Sequence, residues 1–225
     1  METISSNRPK IVVIGSCNTD MVVKANRLPV PGETFYMNPG GKGANQAIAA
    51  ARLGAEVTFI SKIGYDLFGL QALEIYRSEK INTEFIFTDQ KSPSGVALIS
   101  VDSFGENSII VAPGASRSLS TEDINKAEEK IKEADIILMQ LEVPIDTVEY
   151  AATIANRYGK KVILNPAPAS TLSNSFLNNV HTILPNRIEA EMLSGIKVMD
   201  VESAHRAAKA IGEKGIENVV ITLGK

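Results

Sequence analysis

The chain is poor in residues that cross-link or ligate metals. Among 225 residues it has one cysteine, Cys17, and two histidines, His181 and His205. A lone thiol excludes an internal disulfide framework and fits a reducing compartment. One cysteine and two distant histidines also argue against a zinc site. No apolar run reaches the ~18 residues that a membrane-spanning helix needs. Residues 1–10 are polar and lack the apolar core of a secretory signal, so the expected location is cytoplasmic. No sign of charge dominates either. Net charge is −3 and the basic residues are dispersed, so neither nucleic acid nor a membrane is an expected partner. Two common nucleotide motifs are missing. Gly41-Lys42-Gly43-Ala44-Asn45-Gln46 has Gln46 where a dinucleotide fingerprint needs its third glycine, and Lys42 precedes Gly43 instead of the Ser or Thr of a phosphate loop. A nicotinamide-dependent oxidoreductase and a P-loop kinase are both disfavoured.

What is present reads as an ordinary globular chain, 44% hydrophobic and 22% charged, long enough for one large domain or one domain with a small appendage. Its rhythm is a short apolar run followed by a longer amphipathic segment. Strands are expected at 11–14, 56–61, 135–141, 161–165, 182–184 and 218–223. Helices are expected at 67–78, 124–133, 144–158, 187–193 and 202–213. Pro144 suits a first helical turn, and Ser120-Thr121-Glu122-Asp123 suits a helix start with acidic residues near the positive end of the dipole. Apolar strands alternating with helices imply an α/β fold: a mostly parallel central sheet with helices on both faces. One stretch breaks the rhythm. Segments 95–102 and 107–112 flank the turn Ser103-Phe104-Gly105-Glu106 with no helix between them, which reads as an antiparallel hairpin. Segments 21–24 and 35–38, around a Pro29-Val30-Pro31-Gly32-Glu33 turn, are possible companions in a small β-sheet lid. The expected division is therefore a core of residues 1–16, 40–94 and 113–225, with the lid from 17–39 and 95–112.

Candidate site residues come from two sources. Gly40, Gly41 and Gly43 let the backbone turn tightly and approach a ligand, and the alanine-rich segment that follows is helix-forming. Unpaired N–H groups and the helix dipole would face a small polar or anionic molecule there. The second source is the carboxyl ends of the strands, where open α/β sheets bind ligands. There stand Asn18 and Asp20, on one side if the chain stays extended, then Glu142, Asn165, Asn186 with Glu189, and Thr222 with Gly224. An amide and a carboxylate side by side suit a polyol. Each residue has an ordinary alternative as a turn or cap; Asn186 and Glu189 alone would make a capping box. Their joint placement at one sheet edge favours a small-molecule site.

These residues together resemble the ribokinase branch of the sugar and nucleoside kinase family. The matching segments are Gly15-Ser16-Cys17-Asn18-Thr19-Asp20, Pro31-Gly32-Glu33, Gly40 to Gln46, Met139-Gln140-Leu141-Glu142, Asn165-Pro166-Ala167-Pro168-Ala169, Pro185-Asn186 with Glu189, and Ile221-Thr222-Leu223-Gly224. The resemblance covers essentially the whole chain. It implies transfer of the ATP γ-phosphoryl group to the 5-hydroxyl of D-ribose. It also implies that Asn18, Thr19, Asp20, Gly41, Lys42, Gly43, Ala44, Asn45 and Glu142 hold the sugar. Asn186, Thr222, Leu223, Gly224 and Lys225 would meet ATP, and Glu189 would help order Mg²⁺ through water. The β lid would cover the sugar and form a homodimer contact. Two departures stand out. The family's glycine-rich turn with the catalytic aspartate is expected C-terminal to Lys225, along with the K⁺ site, so this chain alone is expected to be inactive. Only Phe35 to Pro39 separates Gly32-Glu33-Thr34 from Gly40-Gly41, fewer residues than the family leads one to expect: either the lid is short here or residues are omitted, and omission is the favoured expectation. Related acceptors (fructose, deoxyribose, adenosine) and a non-catalytic sugar-binding role stay open.

Overall fold

The computed structural model describes residues 8–25 and 34–224. The expected 29–33 turn, with Pro31-Gly32-Glu33, and Lys225 lie outside the described residues. The chain runs β1 (Lys10–Ile14), β2 (Asn18–Lys24), β3 (Thr34–Gly40), α1 (Lys42–Arg52), β4 (Glu56–Gly64), α2 (Leu67–Ser78) and β5 (Ile86–Asp89). It continues through β6 (Gly95–Val101), β7 (Asn107–Ala112), a 3-10 turn (Gly114–Ser118), α3 (Thr121–Lys126), α4 (Glu128–Glu133), β8 (Ile136–Met139) and α5 (Ile145–Arg157). The last elements are β9 (Lys161–Leu164), α6 (Asn174–Leu177), β10 (Thr182–Ile183), α7 (Arg187–Ser194), α8 (Val201–Gly212) and β11 (Asn218–Val219).

Seven strands form a parallel sheet in the order β11-β10-β9-β8-β1-β4-β5. Period-two alternation makes β1 serve two cores at once. Val12 and Ile14 enter one cluster with α3, α4, α5, α7 and α8, while Ile11 and Val13 face the other with α1 and α2. Both faces are therefore apolar, as parallel strands between helical layers require. On the α1 face, Leu138, Ile163 and Leu184 border a groove of about 460 Å³, closed on its other side by Ala49, Ala50 and Leu53.

A separate four-stranded sheet has the order β3-β2-β6-β7. β6 and β7 form the expected antiparallel hairpin. β2 pairs antiparallel with β3 and parallel with β6, so this sheet is mixed. β3 is not short: it pairs with β2 over seven positions, from Lys24↔Thr34 to Asn18↔Gly40.

Other departures have local causes. β5 is an extra strand on the sheet edge, too short at four residues for its alternation to be legible. The expected 124–133 helix is two helices that meet at Ala127, whose φ of −100° and ψ of 5° break the regular ladder. Pro144 is the N-cap of α5, extended with ψ 129°, and precedes the first turn. The strand expected at 218–223 pairs at only two positions, after which Thr222 bridges to Asn186.

Candidate functional site

The site is built where β1, α1 and β8 converge. Past Ile14 the chain runs under the start of α1: the Ala44 N–H donates to the Ser16 carbonyl at 2.9 Å and the Gly43 N–H to Ser16 Oγ at 3.4 Å. The approach leaves no room for a side chain, since a Cβ on Gly43 would lie 2.6 Å from the Gly15 carbonyl carbon. Gly41 turns the chain into α1 with a φ of 89°, a left-handed conformation that glycine adopts without strain. β8 pairs alongside β1 through Ile14↔Met139, which delivers Glu142 to the same place. Its carboxylate receives three donors: Ser16 Oγ at 2.5 Å and the Lys42 N–H at 2.8 Å on Oε2, and the Lys42 ammonium at 2.7 Å on Oε1. Burial pushes the Glu142 carboxyl up, but these donors outweigh it and hold it below its ordinary value.

Asn18 and Asp20 share one face of β2, as period two demands. Two glycines make room for them. A Cβ on Gly95 would sit 2.1 Å from the Asn18 amide oxygen, and one on Gly40 2.0 Å from an Asp20 carboxylate oxygen. Burial and the nearby Glu142 charge raise the Asp20 pKa, and Lys42 opposes them. A cavity of about 420 Å³ opens here, lined by Asn18, Lys42, Glu142, Val111, Arg117 and Pro168 among others. Among the described residues, the buried side-chain acceptors without a partner are Asn18 Oδ1, Gln140 Oε1 and Asn165 Oδ1. All three stand just beyond the carboxyl ends of β1, β8 and β9. Unsatisfied buried polar atoms are uncommon and costly, and their gathering at this edge is itself a functional signal.

The remaining expected residues divide. Gly43 and Ala44 are buried in the turn beneath the cavity, while Asn45 is exposed in the first turn of α1. Thr19 points to the other face of β2, into a smaller cleft of about 220 Å³ with Met37, Phe68 and Ile75. Farther along the edge, Asn186 caps α7: its side-chain oxygen accepts the Glu189 N–H at 2.9 Å, and Glu189 accepts the Asn186 N–H at 2.8 Å and its side-chain amide at 2.9 Å. The capping box is thus real. Thr222 joins it by donating its N–H to the Pro185 carbonyl at 3.0 Å, and the Leu223 carbonyl accepts from Arg187 Nε at 2.6 Å. Gly224 follows with a φ of 68°.

The model of the family described as "pfkB family carbohydrate kinase" matches residues 8–225. The chain belongs to the pfkB family of carbohydrate kinases. It is 46% identical over 222 residues to a ribokinase from Haemophilus influenzae and 42% identical to one from Staphylococcus aureus; the alignments cover 96% of this chain and 72% and 73% of those proteins. A solved structure described as Arabidopsis thaliana ribokinase complexed with ribose and ATP superposes with a TM-score of 0.85 at 29% identity, covering 96% of this chain and 72% of that one.

Sequence reasoning passed over several residues of the site, among them the buried Ser16 that donates to Glu142 and the cavity-lining Arg117 and Val111. Ser16 lay inside a quoted motif, and its place directly after Gly15 at a strand end was a usable signal. Pro168 likewise lay inside a matching segment, whereas Val111 near the end of β7 and Arg117 in the 3-10 turn that follows it carry no local pattern. Ser116 adds a clamp beneath the site: its hydroxyl accepts the Cys17 N–H at 3.2 Å and faces the Cys17 carbonyl at 3.3 Å, fixing the backbone directly before Asn18.

Proposed function

We propose that this pfkB-family chain binds D-ribose in the cavity beside Lys42 and Glu142, and that it is the sugar-holding part of an ATP-dependent ribose 5-kinase. The observation that carries this reading is the convergence of Asn18, Lys42 and the buried Glu142 on one cavity, with Asp20 beside them. Asp20 and Glu142 accept hydrogen bonds from sugar hydroxyls, Asn18 adds an amide, and the Gly41-Lys42-Gly43-Ala44-Asn45 turn closes the floor. Thr19, on the opposite face, acts through the strand rather than by contact. The ribokinases among its relatives support ribose as the acceptor. A deoxyribokinase from Salmonella typhi, 38% identical, makes 2-deoxyribose the natural competitor.

The nucleotide belongs at the other end of the same edge. Four adjacent strands, β1, β8, β9 and β10, separate Asn18 from Asn186, a span of roughly 14 Å at about 4.8 Å per strand. Asn186, Thr222, Leu223, Gly224 and Lys225 would line the phosphates. Kinases of this kind work with a divalent cation that neutralises phosphate charge. A direct ligand shell does not fit the described residues: no three His, Cys, Asp or Glu cluster suitably, and both Glu189 oxygens already accept from Asn186. A carboxylate has further lone pairs, so a contact of Glu189 to Mg²⁺ through water is compatible with the capping box. The monovalent cation, K⁺ in our reading, has no proposed ligands in this chain.

Residues 17–39 and 95–112, whose described strands belong to the four-stranded sheet, would be a lid over the sugar, and the rest the core. The lid's exposed Phe35, Met37, Leu98 and Ile110, which share one face by strand register, support a homodimer contact through it, since apolar patches of this kind mark interfaces. Lid closure would exclude water that competes with the sugar hydroxyl for the phosphoryl group. Glu142 is the one carboxylate among the described residues lining the cavity, and its oxygens are engaged. We therefore expect the 225-residue chain to hold ribose without turning it over. A cytoplasmic location fits the lone buried thiol.

Calorimetry of the purified chain with D-ribose, 2-deoxyribose, fructose and adenosine, alongside ribose-dependent ATP consumption, tests the reading. Ribose should bind best and ATP consumption should stay at background. No saturable sugar binding defeats the pocket assignment, and brisk turnover defeats the expected inactivity.

A further inference from the structure

Arg117 is a cation that the sugar reading leaves without a task. It lines the same cavity as Asn18, Lys42 and Glu142. Lys42 is committed to Glu142 through its ammonium at 2.7 Å. Arg117 is exposed and has no hydrogen bond or ion pair among the described residues. The turn that carries it is nonetheless held firmly. Ala115 donates its N–H to the Pro93 carbonyl at 2.8 Å, Ser116 clamps Cys17, and the Ser118 hydroxyl donates to Asp89 at 2.5 Å. An uncommitted guanidinium on an anchored turn, aimed into a cavity, is arranged for an anion.

The proposed reaction, phosphorylation of the bound sugar, would create one. A neutral sugar is compatible with Asp20 and Glu142. Phosphorylation replaces a hydroxyl proton with a group carrying close to two negative charges. That dianion must then sit in a cavity lined by the Glu142 carboxylate, with Asp20 close to Glu142, and Lys42 is spent. A guanidinium offers planar paired donors that match phosphate oxygens.

We propose that Arg117 is the phosphate-recognition residue of this cavity, binding the phosphoryl oxygens of a sugar phosphomonoester whose ring is held by Asn18, Asp20 and Glu142. The assignment rests on the sugar-pocket reading. It makes Arg117 a determinant of how tightly the phosphorylated sugar is retained relative to the free sugar.

The test measures D-ribose and ribose 5-phosphate affinities by calorimetry for the unaltered chain, Arg117→Ala and Arg117→Lys, with circular dichroism to verify folding. The ratio of ribose 5-phosphate to ribose affinity should fall about tenfold or more in Arg117→Ala, as expected for a charge-assisted hydrogen-bond pair. Arg117→Lys should recover part of it, because a point charge replaces the fork. An unchanged ratio in Arg117→Ala, with ribose still bound, overturns the assignment alone. A loss confined to ATP binding, with ribose 5-phosphate unaffected, overturns it too and gives Arg117 to the nucleotide. Absence of ribose binding in the unaltered chain removes the pocket reading and this assignment with it.

Discussion

Replacing Glu142 with Gln probes the centre of the site while keeping its shape. The carboxylate takes Ser16 and Lys42 donors on one oxygen and the Lys42 ammonium on the other. A glutamine amide offers one oxygen for these three donors. Its best orientation gives that oxygen to Ser16 and the Lys42 N–H, which turns an NH₂ group towards the ammonium. One charge-assisted bond is lost and a donor meets a donor. Such a loss is worth about 1.5–3 kcal/mol when buried. The Lys42 side chain is 42% exposed against 18% for Glu142, so solvent relieves part of it and about 2 kcal/mol is the expected cost. In a chain of this size that lowers the melting temperature by roughly 4–8 °C. The pH dependence identifies the cause. Glu142 titrates below its ordinary value of 4.5, so its contribution is complete above that value and disappears as pH falls through the lower folded value. Thermal melts of both proteins should differ fully at pH 7 and converge in acid. Other carboxylates titrate in both and cancel in the difference. Equal melting temperatures at pH 7, or a gap that ignores pH, would refute the reasoning.

Two further expectations concern the scaffold. Gly43→Ala should destabilise the chain by about 1–3 kcal/mol or prevent folding, because the added methyl meets backbone at 2.6–2.7 Å. Gly212→Ala, with open space around its Cβ position, should be neutral or slightly stabilising when both variants are compared by urea titration; similar behaviour of the two variants would contradict the packing argument. Cys17 is buried and its thiol is pushed up to about 11, by burial above all, while the Tyr76 hydroxyl at 2.9 Å opposes the rise. An aromatic disulfide reagent at pH 8 should therefore react slowly with the native chain and rapidly in urea. Fast labelling of folded protein would show that the β1–β2 junction opens.

Much of the fold was legible because parallel strands are apolar on both faces and helices repeat at 3.6. Residues 11–14, 67–78 and 161–165 show these periods without interference, and the observed elements agree to within a residue at their ends. β10 and β11 were harder: each pairs at only two positions, so their apolar runs overstate the ladder. β5 was invisible because Ile86-Phe87-Thr88-Asp89 is a strand by virtue of β4 beside it, not by its own pattern. The parallel pairing of β2 with β6 joins segments more than seventy positions apart, a long-range choice no local window contains. At the site, Asn18 and Asp20 shared a face as period two requires, whereas Thr19 was opposed to them for the same reason. Asn186 and Glu189 proved to be the capping box their spacing allowed.

The order of residues determined the strand-helix rhythm, the glycine turn before α1 and the identity of the polar groups at each strand end, because these depend on neighbours within a few positions. Tertiary structure alone decided that Glu142 meets Lys42 and Ser16, that Gly40 and Gly95 yield space to Asp20 and Asn18, and that Arg117 enters the cavity. Those meetings follow from the lateral order of the strands, which burial over the whole sheet selects and no short segment encodes.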